Sequence, residues 1–147
     1  MEASDYQNLL IEQLRTAFGL TGDLVQGLPD DAFKLKLDKL PSNTIGQQLW
    51  CMVGARESYL KAIENGAWSG FGSSLDDTTS KTKILHCLQE SRDDCLSYLI
   101  GHILSEVQAQ YLIALLQHEI QHHGQLIRYV YGNRLPFPGS WNEQYTV

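Results

Sequence analysis

Three of the five histidines of this chain stand within six residues, in the run His118-Glu119-Ile120-Gln121-His122-His123. On an α-helix, residues four apart lie one turn above each other, so His118 and His122 aim their imidazoles at a common point. The steps of three and four continue through Tyr111, Leu115, His118, His122, Leu126 and Tyr129. The pair therefore replaces the middle of an apolar stripe and is predicted to face a core. A lone core histidine usually finds a hydrogen-bond partner and does nothing else. Two stacked imidazoles on an apolar face would each cost about 1–3 kcal/mol in desolvation, a cost that one divalent cation removes for both. Metal ligation is the favoured reading. Gln125, three residues after His122, borders the same face and is a candidate partner for a ligated imidazole or a bound substrate. His123 and Glu119 rotate about 100° from their neighbours, and Glu119 is expected in solvent.

The same run fits the His-Glu-x-x-His pattern of zinc proteases, whose Glu is a general base. Three fixed positions in five recur by chance, and no third His follows at metzincin spacing. Two ligands do not make a stable site, so a third must come from another helix. Cys51, His86, Cys87, Cys95, His102 and several carboxylates are the candidates. Cys51 lies on a helix flank with Gln48, Ala55 and Ala62, small or polar neighbours that leave space; taken alone, it reads as a small core hydrophobe. Cys87 and Cys95, about two turns apart, read as core thiols.

Four helices are predicted to hold these groups. The first opens at a possible Ser4/Gln7 capping box, runs through Tyr6, Leu10, Leu14, Phe18, Leu24 and Leu28, and stops at Gly27 and Pro29. From Asp30 to Asn43 apolar and charged residues alternate, but no second alternating segment exists to pair with this one. An ordered crossover loop that tucks Phe33, Leu35 and Leu37 onto the core is expected. The second helix starts near Ser42 to Thr44 and ends at Asn65-Gly66, with Ile45, Leu49, Met52, Val53, Leu60 and Ile63 as its stripe. A Gly/Ser-rich loop follows to Ser80, with Trp68 and Phe71 expected out of solvent. The third helix sets Ile84, Leu88, Cys95, Leu99 and Ile103 on one side. A Ser105/Gln108 capping box opens the fourth, which carries Val107, Tyr111 and Leu115 onward and ends at Gly132-Asn133. Pro136, Phe137, Pro138 and Trp141 mark a tail that cannot be helical through its prolines and is expected to pack across one end of the bundle. The fold predicted is all-α: a single four-helix bundle domain over residues 1–147, with long loops after helices 1 and 2 and a Pro/aromatic C-terminal tail.

Seventeen acidic against eleven basic side chains give a formal charge of −6, the wrong sign for a nucleic-acid track or an anionic bilayer surface. With 43% hydrophobic residues the chain can bury roughly two thirds of its unfolded surface, enough for an ordinary core. No apolar run reaches the ~18 residues of a membrane span, and Met-Glu-Ala-Ser-Asp is not a signal peptide. A cytoplasmic protein with neither nucleic acid nor membrane as partner is expected. Three cysteines at no repeating spacing read as reduced thiols.

The segment His-Glu-Ile-Gln-His-His-Gly-Gln-Leu-Ile-Arg at residues 118–128, with the Leu-Pro-Phe-Pro-Gly-Ser-Trp tail, resembles the last-helix signature of the DinB (DinB/YfiT-like) superfamily. Thr44-Ile45-Gly46-Gln47-Gln48-Leu49-Trp50 followed by Gly54-Ala55-Arg56-Glu57 resembles that family's second-helix signature. The resemblance implies a four-helix bundle, often a homodimer, with a divalent metal held by one His of the second helix and two of the last. His118 and His122 match the latter two. The second-helix ligand falls at residue 51, where this chain has Cys in place of the usual His. A Cys51, His118, His122 set with an open fourth position suits zinc or nickel and disfavours manganese or magnesium. The other outcome of that exchange is a lost site.

Members of the family with known activity include metal-dependent S-transferases and isomerases of low-molecular-weight thiols such as bacillithiol, mycothiol or glutathione. The implied chemistry is a thiol made nucleophilic by the metal and added to a small electrophile. Arg56, about a turn beyond residue 51, is a candidate to hold a substrate carboxylate; an ion pair inside the bundle is the other role open to it. Metal-dependent hydrolysis, and a metal-free bundle that binds a small ligand or a partner, are the competing functions.

Overall fold

The structure is a computed structural model that describes residues 3–147. Five α-helices and one 3-10 turn make up its regular structure, and no strand occurs among the described residues. The four long helices are α1 (Ala3–Gly27), α2 (Ile45–Asn65), α3 (Lys81–Gly101) and α4 (Glu106–Gly132). Both α1 and α2 pack on α3 and on α4, and the α2–α4 contact is the most extensive. That contact brings the second-helix cysteine toward the histidines. No helix of the described residues is long and apolar enough to cross a membrane.

The helix starts follow the capping signals closely in two cases. Thr44 accepts from the Gln47 backbone N–H while the Gln47 side chain accepts from the Thr44 N–H, and Ser105 and Gln108 repeat the arrangement for α4. Gly66, at φ 70°, ends α2 in the left-handed region that glycine adopts without strain. The capping box expected at Ser4 and Gln7 is absent, because the helix already includes Ala3. Gln7 instead spans to the α3–α4 connection: its amide donates to the carbonyls of Leu99 and His102 and accepts from Leu104 N–H.

The crossover from α1 to α2 behaves as the alternation suggested. It forms the 3-10 turn Ala32–Lys34, buries Phe33 fully and packs Leu35 and Leu37 on the core. The loop from Gly66 to Ser80 lies along α2. Gly72 and Ser58 exchange hydrogen bonds, Ser74 N–H donates to Glu57, and Ser73 Oγ donates to Trp50 O. Its aromatic residues are packed yet half-exposed, Phe71 on Trp50 with ring centres 5.3 Å apart and Trp68 on Tyr59 at 5.1 Å. Three expected apolar positions are wrong: Tyr6 is 57% exposed, Ile103 lies beyond the end of α3 at 85% exposure, and Val107 is half-exposed.

The tail departs most from expectation. Pro138, with no amide hydrogen to lose, caps a short helix α5 (Gly139–Tyr145), which drives Trp141 into the core. The indole N–H donates to Leu20 O at 2.6 Å. The apolar core divides into two clusters. One is built around Phe33, Leu49, Met52, Leu126 and Trp141, the other around Leu14, Phe18, Ile63, Leu112 and Leu115.

Candidate metal centre

The Thr44 cap fixes where α2 begins and hence that Gln48 and Cys51 turn toward α4. His118 and His122 meet them from α4, their ring centres 4.5 Å apart. Cys51 Sγ lies 3.6 Å from His118 Nε2, and donor atoms of Cys51, His118 and His122 all fall within 4.8 Å of one another. Tetrahedral zinc with Zn–S about 2.3 Å and Zn–N about 2.05 Å sets its S···N edge at about 3.6 Å. The Cys51–His118 separation already equals that edge, and the remaining ligand needs only a modest inward shift.

The hydrogen bonds around the cluster favour an ion. His122 Nδ1 lies 2.5 Å from Gln48 Oε1. Gln48 is oriented by its own Nε2, which donates to Asn43 Oδ1 at 3.0 Å, and Tyr129 OH donates to the same Asn43 oxygen. Gln48 therefore offers only an acceptor to the imidazole, so His122 carries its proton on Nδ1 and leaves the Nε2 lone pair free. This is the outer support that metal-bound histidines use. His118 has no such support: its Nδ1 is the buried polar side-chain atom without a hydrogen-bond partner among the described residues. His118 Nε2 has only the thiol contact and is open to an ion, whereas its Nδ1 is unpartnered with or without one; the donor set fits a borderline metal.

Burial sets the protonation states. It pulls His122 down to about 4, helped by the neighbouring His118, and it lowers His118 against the opposing charge of Glu119. Both rings are neutral and ligand-ready at neutral pH. Burial also raises the Cys51 thiol, so binding a metal there must release a proton.

Cys51 also borders a cavity of about 480 Å³ lined by Asn43, Gln47, Trp50 and Thr78. The cluster thus has a space on one side in which a small molecule fits.

The α4 stripe is rotated relative to the predicted one. Leu112, Leu115, Glu119, His122, His123, Leu126 and Val130 are buried, whereas Tyr111 and His118 sit at the edge. Glu119 is not in solvent but fully buried, and it takes both arms of Arg56: Nη2 to Oε1 at 2.5 Å and Nε to Oε2 at 3.3 Å. Burial drives the Glu119 carboxyl up, but Arg56 and the Thr21 hydroxyl hold it below its usual value. Of the two roles open to Arg56, the structure gives the internal ion pair, and no substrate carboxylate can reach it. Gln125 is exposed and makes no hydrogen bond among the described residues; the role considered for it belongs to Gln48.

His123 joins the network from the other side. Its Nδ1 meets Tyr145 OH at 2.6 Å and its Nε2 meets Thr21 Oγ1 at 2.8 Å, while Thr21 Oγ1 reaches Glu119 Oε1 at 2.7 Å. Burial lowers His123 to about 4, so the ring is neutral. The other ligand candidates lie elsewhere. His86 pairs with Glu90, His102 donates to Tyr98 O, and Cys95 is buried against Arg56 O with its thiol pushed up to about 12 by that burial. Cys87 is half-buried beside Ser74. No protein-family model and no curated protein matches the chain.

Proposed function

We propose that this protein is a DinB-type metalloprotein whose Cys51, His118 and His122 hold a divalent ion, zinc or nickel, and whose reaction adds a low-molecular-weight thiol to a small electrophile. The observation that carries the reading is the convergence of three donor atoms within 4.8 Å, one of them, Cys51, on the wall of a cavity. A divalent ion supplies Lewis acidity there, lowering the pKa of a thiol or water that takes its open position. The chain's own contribution is positional. Gln48 holds His122 in the tautomer that presents Nε2, and the Thr44 capping box holds Cys51 toward α4. The Arg56–Glu119 pair fixes α2 against α4 without touching the ligand set.

Hydrolysis, with water as the nucleophile, is the second reading. It is favoured by the absence of a charged side chain among the residues lining the cavity, which leaves nothing to hold the carboxylates of an acidic thiol.

Elemental analysis of protein purified without chelator or His-tag, wild type beside Cys51→Ala and His122→Ala, tests the proposal. Near-stoichiometric zinc or nickel that falls in both variants is expected. A wild type that takes up no metal even on reconstitution overturns it. Turnover of an ester or amide without added thiol would select hydrolysis over thiol transfer.

A further inference from the structure

The cavity beside Cys51 has an unusual polarity. Two of its lining residues are primary amides, and the oxygen of each is already committed to the protein. Gln47 Oε1 accepts from Thr44 N–H at 2.9 Å as half of the capping box. Asn43 Oδ1 accepts from Gln48 Nε2 and from Tyr129 OH. These bonds occupy the oxygen end of each amide, and neither NH2 group, both on exposed side chains, meets an acceptor among the described residues. The lining therefore offers two N–H donors with no protein acceptor, and the Thr78 hydroxyl beside them.

Its remaining wall is aromatic. Trp50 is 38% exposed and braced from behind by Phe71, a flat apolar surface held in a fixed orientation. No Lys, Arg, Asp or Glu lines the cavity, and the cation nearest in sequence to Cys51, Arg56, is locked onto Glu119. The chain as a whole carries −6. An anion would meet donors but no countercharge, in the field of a negative protein. A divalent ion on the Cys51 thiolate keeps one net positive charge, and a thiolate or hydroxide nucleophile cancels it. The electrophile is left with a neutral environment.

We infer that this cavity binds an uncharged carbonyl compound with a flat apolar body, its oxygen accepting from Gln47 Nε2 and Asn43 Nδ2 and its body lying on Trp50. As the identity of the electrophile, the inference rests on the proposed metal centre; as a binding preference, it does not need the metal. Volume agrees, since about 480 Å³ lies within the range of roughly 300–1,000 Å³ typical of small-molecule sites.

Benzamide and benzoate, nearly equal in shape but neutral and anionic respectively, are the probes. They are titrated into metal-free protein and followed by 1H–15N spectra at the Trp50 indole and the Gln47 side-chain amide. The amide is expected to shift both resonances and to bind at least about tenfold more tightly than benzoate. Gln47→Glu retains the capping box, because glutamate serves equally at that helix position, and exchanges the donor for a carboxylate. It is expected to weaken the amide about tenfold with metal uptake unchanged. Benzoate binding as tightly as the amide, or an amide affinity indifferent to Gln47→Glu, overturns the inference. A protein that takes up no metal but keeps the amide preference loses only the metal reading; one that loads metal but shows no preference loses only this one.

Discussion

Arg56 and Glu119 face each other in the middle of the bundle as a two-armed ion pair, with side-chain exposures of 1% and 0%. The Phe18 ring lies 4.0 Å below the guanidinium, and Arg56 Nη1 donates to Leu88 O at 2.9 Å. Each of the three guanidinium nitrogens and both carboxylate oxygens has a partner within this group. The pair also disposes of the protease reading of His-Glu-x-x-His. Glu119 points toward α1 and α2's arginine, not toward the space between the histidines, and a carboxylate so engaged is no base.

Removing one half of such a pair strands the other charge in the core. Glu119→Gln is expected to destabilise the protein by about 3–5 kcal/mol in urea unfolding, and Arg56→Met/Glu119→Leu together by much less than the sum of the single changes. A single-variant loss below about 1 kcal/mol would mean the pair is not formed in solution.

Acid should unfold the metal-free protein in two stages. His122 and His123 have folded pKa values near 4 against 6.5 for the free side chain, so the unfolded chain takes up protons that the folded one refuses. Their contribution is complete above about pH 6.5 and declines toward about pH 4, at up to about 1.4 kcal/mol per pH unit for each ring. Below that window the depressed carboxyl of Glu119 adds a further loss as it protonates. Differential scanning calorimetry from about pH 7 to pH 4 reads the first stage, and His123→Gln should flatten it. A melting temperature level down to about pH 5 would contradict neutral, buried rings.

Gln48 touches no donor atom of the proposed site except through His122. Gln48→Leu removes the acceptor that fixes the His122 tautomer and should weaken metal binding about 10- to 100-fold while the fold persists. Competition with a chromophoric chelator measures it. Unaltered affinity in this variant would show that His122 needs no partner on Nδ1.

Metal uptake should also depend on pH through Cys51. The thiol is protonated at neutral pH, so each ion bound displaces one proton and affinity should rise about tenfold per pH unit between about pH 6.5 and 8. Calorimetric titration in buffers of different ionisation heat counts the protons. A count near zero would remove Cys51 from the ligand set.

The helices that hold the site were legible because capping and hydrophobic period are local. Thr44/Gln47, Ser105/Gln108 and Gly66 each mark an end that the structure reproduces. The pairing of Cys51 with His118 and His122 came from the family resemblance rather than from spacing, which left several third ligands open. The rotation of α4 was not legible, since a carboxylate in the middle of a helix reads as surface until its partner is known. Arg56 lies 63 residues away, and nothing in the local pattern joins it to Glu119. The tail helix was missed for a different reason. Two prolines argued against helix, yet Pro138 stands where a helix begins rather than where it would be broken.

The docking of Trp141 onto Leu20 bears on the order in which the chain is completed. The contact spans 121 residues, and Ser140 reaches Asp23 across 117. During synthesis, at roughly 5–20 residues per second, α1 emerges long before the side chain that seals its Leu20 and Leu24 exists. Until then the nascent bundle carries an open apolar end, and that interval is when a chaperone has most to bind. Slow decoding between α1 and Trp141 would lengthen the exposure, and anything that hinders α5 from folding back would make it permanent.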